Sequence, residues 1–555
     1  MTEGVTLCSA TLGEDGRHEP PLGPLYIASA LEGLGVDVDF RDFQLDGSAH
    51  CFSGEALARC LAGHAGTVAI SCFVDMLPAA VDAAQILHRA RPDTRIVLGG
   101  PGPTPSARRI LEAYPWISGV VRGEGEETVQ DWVRLLRGQH EGPVAGMAYR
   151  HGGTLVDGPP RQRIAALDAL AGPAWHLVDW SRYTNGRVIT TRGCSYRCSF
   201  CDVTALWGSR SVFRGLESTV AEIEMLRDRF GQEMVAIVDD TFVLNRQRVQ
   251  DFCRLLIERG SGVVWGCFGR INLMTPELIE LMARAGCRGV FYGIDSGSQA
   301  VLDRTAKRVR AEDIMPVLEV SAQHFASIEA SFIWGYPFET LDDFSRTLDV
   351  AAQASLLAPV VNVQLHMLSP LPMSPIYREF AGQLLDPEPE DARWLLLPAV
   401  LLDARAGRVR ELVRQHPKIY PGFYTLPTPG KQEKRRQLER VMQTLTQTVG
   451  STVVDGRTAR LLREDAAEVE GELLAARPAP AERIGVGLAL GAFRRVRHRE
   501  QPHTGPGPLA GTRGASLVRE RPEFAAANRV TPTTPVHGPA QPDPGSHHPR
   551  RTDDD

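Results

Sequence analysis

Cys194, Cys198 and Cys201 lie in the run Thr-Arg-Gly-Cys-Ser-Tyr-Arg-Cys-Ser-Phe-Cys-Asp, residues 191–202. Their spacing, C-x3-C-x2-C, constrains the chain more than any other feature, because three thiolates within eight residues can hold one metal cluster. A cubane held by three cysteines keeps one iron open. A cluster closed by four carries electrons, whereas an open iron can bind and activate a substrate. A structural zinc site takes four ligands, usually as two close pairs far apart in sequence. Neither a second C-x2-C nor a closely following histidine accompanies these three. A disulfide framework belongs to secreted chains, and MTEGVTLCSATLGEDG has no basic segment leading into an apolar one.

A chain of 555 residues is too long for one core and suggests three or four units. Apolar content of 43% and charged content of 23% are those of an ordinary globular protein. A net charge of −6 argues against a nucleic-acid binder. No run of 18 apolar residues appears, so no membrane partner is expected. Ten cysteines are too sparse for a disulfide scaffold. A reducing cytoplasm is the expected location, and it suits an oxygen-sensitive cluster.

Residues 1–145 alternate strands with helices. Val5–Leu7, Val36–Phe40, Thr67–Phe73, Arg95–Leu98 and Ile117–Arg122 read as strands. Leu22–Leu34, Glu55–Ala62, Ala79–Ala90 and Glu127–Leu136 read as helices. This alternation predicts an α/β fold, a doubly wound Rossmann-like domain whose ligands bind beyond the C-terminal strand ends. Gly99, Gly100, Gly123 and Glu124 fall at such ends. Residues 146–187, with Gly152–Gly153 and Pro159–Pro160, read as a linker.

From 188 to 380 the pattern is strand, loop, helix, repeated. The strands Val235–Val238, Val263–Cys267, Val290–Ile294, Ser331–Trp334 and Val361–Leu365, with the one before the cysteines, give six repeats. That predicts a partial (β/α)6 barrel with its site at the C-terminal strand ends. Asp239–Asp240, Arg270, Asp295–Ser296 and Gly335 stand there. A buried acidic pair needs a cationic partner. One aspartate is expected to meet such a cation and the other to cap the next helix near Asn245. Arg270 suits a carboxylate, or a surface ion pair. Residues 381–497 read as a helical domain, with Arg408–Arg414 and Lys431–Arg440 on solvated faces. Its aromatic loop, residues 416–424, either covers the barrel mouth or packs the domain onto the barrel. Residues 498–555 are too poor in apolar residues to fold and read as a disordered tail. Of the other cysteines, only Cys72 and Cys267, at strand ends, are candidates to face a cavity.

The cysteine run resembles the signature of the radical S-adenosylmethionine (radical SAM) superfamily. The resemblance implies a 4Fe-4S cluster on Cys194, Cys198 and Cys201, and an open iron that chelates S-adenosyl-L-methionine. It places Asp240 near the amino group of that cofactor and Asp295 and Ser296 near its ribose and carboxylate. Asp295 stands where the family has glutamate, one methylene longer. Gly335-Tyr-Pro-Phe-Glu-Thr340 is similar to the segment that backs the adenine. Pro372-Met-Ser374 departs from the usual Pro-Gly-Thr. Residues 20–31, 97–101 and 121–128 resemble the cobalamin-binding domain, which implies cobalamin contacts at Gly99, Gly100, Gly123 and Glu124. The D-x-H-x-x-G motif of a cobalt-ligating histidine is absent.

Together these parts resemble cobalamin-dependent (class B) radical SAM methyltransferases. The implied reaction is methylation of an unactivated carbon in a small molecule or peptide, of the kind found in antibiotic and other specialised-metabolite pathways. An external electron donor such as a flavodoxin or ferredoxin is the implied partner. Two alternatives stand beside this: cyclisation, rearrangement or oxidation without methyl transfer, and a cluster-bearing sensor without turnover.

Overall fold

A computed structural model describes residues 4–11, 18–46, 52–357, 360–391, 394–395 and 407–449. The helices expected in 450–497 and the tail expected in 498–555 lie outside the described residues.

The first sheet has seven strands: β1 (Val5–Ala10), β2 (Val38–Asp42), β3 (Thr67–Cys72), β4 (Arg95–Gly99), β5 (Gly119–Val121), β6 (Met147–His151) and β7 (Thr154–Asp157). Their order is β2-β1-β3-β4-β5-β6-β7, with β1 to β5 parallel. The helices α1 (Leu22–Glu32), α2 (Gly54–Cys60), α3 (Leu77–Ala90), α4 (Ala107–Ala113) and α5 (Glu126–Leu136) alternate with these parallel strands. Central strands buried on both faces must be apolar throughout, and Val68, Ile70, Ile96 and Leu98 are buried accordingly.

β6 and β7 correct the expected linker. They pair antiparallel with β5 and with each other, so residues 147–157 extend the first sheet. Gly152 (φ +55°) and Gly153 (φ +79°) are the two left-handed positions of a hairpin turn, not linker glycines.

The segment up to residue 185 then crosses α1. Ala174 N donates to Leu25 O at 3.1 Å, Ser29 Oγ to Gly172 O at 2.6 Å, and Tyr183 OH to Asp42 Oδ2 at 2.8 Å. Leu22, Leu25 and Tyr26 of α1 share one buried apolar cluster with Trp175, Val178 and the helix-facing core of the second sheet.

That second sheet contains β8 (Gly186–Val188), β11 (Met234–Ile237), β12 (Val264–Gly269), β13 (Cys287–Asp295), β14 (Ser327–Trp334) and β15 (Val361–Met367), all parallel, in the order β15-β14-β13-β12-β11-β8. A short pair, β9 (Thr191–Arg192) and β10 (Val212–Phe213), brackets the cysteines. The intervening helices are α6 (Val203–Trp207), α7 (Leu216–Phe230), α8 (Arg246–Glu258), α9 (Pro276–Arg284), α10 (Gln299–Arg304), α11 (Ile314–His324) and α12 (Leu341–Ser355), followed by α13 (Pro375–Phe380). Local chemistry starts several of them. Asn245 caps α8, Thr275 caps α9 ahead of Pro276, and Thr340 and Asp343 form a reciprocal cap on α12.

The C-terminal segment straps both sheets. Val409 and Leu412 of α14 (Gly407–Gln415), with Tyr420 and Phe423, enter the core of the first sheet beside Val81, Ile110 and Tyr114. Tyr114 and Tyr420 hydroxyls meet at 3.0 Å. The aromatic loop therefore packs Tyr420 and Phe423 onto the first domain, a surface not among those expected, while its Pro417, Lys418 and Tyr424 border a cavity shared with α13. α15 (Lys431–Val449) lies against α12. Lys434, expected on a solvated face, is fully buried and bonds Glu339 Oε2 at 2.9 Å. No described helix is long and apolar enough to cross a membrane.

Candidate active site

The loop from β8 into the cysteines is held by four carboxylates. Asp239, at the end of β11, accepts from Thr190 N at 2.6 Å, Thr190 Oγ1 at 2.6 Å and Thr191 N at 3.0 Å. Burial pushes its carboxyl above the usual range. Arg192 is 5% exposed and crosses to the first domain, bonding Glu124 Oε1 at 3.0 Å and Glu126 Oε1 at 2.6 Å. Its guanidinium also lies over Tyr26 of α1 at 5.3 Å. Gly193 has φ +94°, and its N donates to Asp240 Oδ2 at 2.9 Å. A Cβ there would stand 3.3 Å from both Arg210 O and Trp207 Cβ, a tight contact, and the left-handed backbone itself favours glycine.

The three thiols follow. Cys194 and Cys198 are buried, and Cys201 is half-buried. Cys194 Sγ lies 3.6 Å from Thr241 Oγ1, and Arg270 Nη1 donates to Cys198 Sγ at 3.7 Å. Burial pushes the Cys201 thiol up to about 12, so a thiolate there needs a cation. Among the described residues, no three His, Cys, Asp or Glu converge on a single-ion position. A cubane offers a separate iron to each thiolate and so takes more widely spaced ligands than one zinc ion does.

Arg270 gives the sharpest test of what fits here. It is 5% exposed and stacks on Tyr196 at 3.6 Å, yet its Nε and Nη2 have no hydrogen-bond partner among the described residues. A guanidinium so placed beside Cys198 suits an anionic group at the cysteine loop. Asp240 is the complementary acceptor. Burial by the surrounding protein raises its pKa to about 6.

Asp295 and Gly335 occupy the neighbouring strand ends. Asp295 adopts φ +69°, is buried and pairs with Lys307, whose ammonium also lies 5.8 Å from the Phe200 ring between the cysteines. Gly335 has φ +86°, and its N donates to Glu339 Oε2 at 2.9 Å. On the first sheet, Gly100 has φ +91° and Gly123 φ +68°. Thr104 Oγ1 links them, donating to Gly100 O at 2.8 Å and accepting from Gly123 N at 3.3 Å. A Cβ on Gly100 would stand 2.7 Å from Cys72 O. A Cβ on Gly99 would make only an ordinary contact with Val121 at 3.9 Å, and at Gly123 there is open room.

The profile of the radical SAM superfamily matches residues 188–351, and that of the B12 binding domain matches residues 9–133. The chain belongs to the cobalamin-dependent radical SAM family. It is 27% identical over 357 residues to an uncharacterized methyltransferase of Pyrococcus horikoshii, spanning 61% of this chain and 75% of that one. It is also 27% identical over 383 residues to the anaerobic magnesium-protoporphyrin IX monomethyl ester cyclase of Cereibacter sphaeroides, spanning 66% of this chain and 61% of the cyclase. Among solved structures it resembles the radical S-adenosylmethionine methyltransferase TsrM of Kitasatospora setae, which holds cobalamin and a 4Fe-4S cluster. The TM-score is 0.55 at 20% identity, over 69% of this chain and 75% of that one.

The cofactors of this family member are a 4Fe-4S cluster, S-adenosyl-L-methionine and cobalamin. Several residues expected to touch them do other work. Glu124 spends both oxygens on Arg192, Arg163 and Ile164 N, so it joins domains rather than contacting cobalamin. Ser296 is fully buried, and its hydroxyl meets Thr347 Oγ1 at 2.9 Å and accepts from Ser298 N at 3.1 Å. Helix α8 is capped by Asn245 itself; Asp239 caps the threonine backbone instead. Cys72 and Cys267 are both buried, and that burial pushes their thiols well up.

Other site features are new. Asn362, Gln364 and His366 alternate along β15, and Glu329 Oε2 accepts from Asn362 at 2.6 Å and Gln364 at 2.9 Å. Val363, Leu365 and Met367 face the outer core, so this polar row faces inward. Burial lowers His366 to about 4, so it is a neutral imidazole. A polar residue at every second strand position was the available signal.

Proposed function

We propose that this enzyme is a C-methyltransferase acting on an unactivated carbon of a small molecule or peptide in specialised-metabolite biosynthesis. The observation that carries the reading is Arg192. It starts the cysteine loop at the C-terminal edge of one sheet and bonds Glu124 and Glu126 at the C-terminal edge of the other. Ligands of such sheets lie at those edges, so the two cofactor edges adjoin. When bound, the reduced cluster cleaves S-adenosylmethionine to start a radical and cobalamin supplies a transferable methyl group.

The chain's own residues bind and orient. Cys194, Cys198 and Cys201 hold the cluster. Asp240 takes the ammonium of S-adenosylmethionine, and Arg270 neutralises anionic charge beside Cys198. The turn at Gly335 backs the adenine, held by Glu339 and Lys434. Asp295 fixes Lys307 against the cysteine loop. Gly99, Gly100 and Gly123 let the corrin approach the backbone. The inward row of Asn362, Gln364 and His366 orients a polar substrate. An external flavodoxin or ferredoxin delivers the electron, in the cytoplasm.

Anaerobic reconstitution with methyl-labelled S-adenosylmethionine tests this. Label in the product together with 5′-deoxyadenosine is expected. A product formed without label establishes the second reading, cyclisation or oxidation, which the similarity to the cyclase favours.

A further inference from the structure

A cavity of about 900 Å³ opens where three parts of the chain meet. Arg109 comes from α4 of the first domain, Arg378 from α13 just beyond the last barrel strand, and Arg414 and Lys418 from the C-terminal strap. All four side chains are exposed, and none makes an ion pair within the described structure. Among the described residues, Asp386 is the only carboxylate in the lining. Tyr424 closes one wall, its hydroxyl donating to Val413 O at 3.1 Å.

Unpaired cations are not the habit of this segment. Arg408 pairs with Asp82, Lys431 with Asp391 at 3.0 Å, Lys434 with Glu339 at 2.9 Å, and Arg435 with Asp391 at 3.0 Å. Four cations against one carboxylate, on a chain of net charge −6, are concentrated in one concave space. Like charges gathered in a concave space focus a positive field there and so attract an anion. The walls are fixed rather than loose, because Leu385 and Thr425 exchange backbone hydrogen bonds of 2.9 Å across the strap. The size falls in the range of small-molecule sites, and domain junctions are where such sites occur.

We propose that this cavity binds the phosphate or diphosphate group of the substrate and so anchors it at the mouth of the barrel. The reading rests on the proposed methyl transfer and adds the substrate class: a phosphorylated small molecule. Three guanidiniums supply planar, paired donors of the kind phosphoryl oxygens accept, and Lys418 adds a point charge. Pro372, from the loop after β15, also lines the cavity, which puts the anchor beside the C-terminal end of the barrel.

The test uses the full chain, reconstituted with cluster and cobalamin, and pyrophosphate as the probe in titration calorimetry. Saturable pyrophosphate binding that weakens with salt is expected. Arg414→Glu and Lys418→Glu should each weaken it by about tenfold or more, Arg414→Lys by less, and the distant Arg254→Glu should not change it. Cluster absorbance serves as the check that each variant folds. No binding to the unaltered chain, or equal binding by the charge-reversed variants, overturns the proposal. Loss of cobalamin from Arg414→Glu would assign the cavity to the cofactor's own phosphodiester and overturn it as well. Failure of methyl transfer itself would appear separately, as product without label while pyrophosphate still binds.

Discussion

Asp42 ends β2 as a buried acid, receiving hydrogen bonds from Gln44 and Tyr183. Burial, only partly opposed by those bonds, raises its pKa to about 6. In an unfolded chain it titrates near ~4. Between about pH 4 and pH 6 the native state therefore keeps a proton that the unfolded chain has released, and stability falls as pH rises through that window. Asp42→Asn should remove this component. The stability of the variant relative to the original should be greater at pH 6.5 than at pH 4.5 by about 2 kcal/mol, read from urea denaturation at both values. A relative stability that is equal at the two pH values refutes the assignment. The same scale shows why sequence reading misplaced Glu124 and Ser296. Both sit beside residues that fit the cofactor pattern, but their partners, Arg192 and Thr347, are distant in the chain.

At the scale of elements, strands were legible where their side chains were apolar on both sides. β14 begins at Ser327 rather than at the expected Ser331, because Ser327, Glu329 and Ser331 face the barrel interior and break the apolar run. The hairpin of β6 and β7 was missed for a related reason: Thr154–Asp157 is largely exposed and carries little apolar signal. The helix α15 was legible, but its buried ion pair was not. Lys434 and Glu339 are both fully buried, and burial alone would drive Glu339 toward its neutral form. Lys434→Met should cost about 3–5 kcal/mol by leaving that carboxylate without its cation. Adding Glu339→Gln should recover much of the loss. Chemical denaturation of the two variants checks this, and equal instability of the single and double variants would contradict it.

At the scale of the molecule, the two sheets share one apolar cluster through α1 and are bridged by Arg192. Arg192→Met preserves bulk but leaves Glu126 without its buried cation and Glu124 with Arg163 alone. A loss of about 3–5 kcal/mol is expected, read as a lower unfolding midpoint and as faster proteolysis in residues 159–185. An unchanged midpoint and cleavage rate would show that the joint does not depend on it. The cysteine spacing made the second domain readable, and the strand-helix alternation made the first readable, while the contact between them was invisible because its partners come from different domains. That contact also limits recombination. A chimera that took its first domain from one relative and its barrel from another would inherit an arginine without its acids, or acids without their arginine, unless all three were transplanted together.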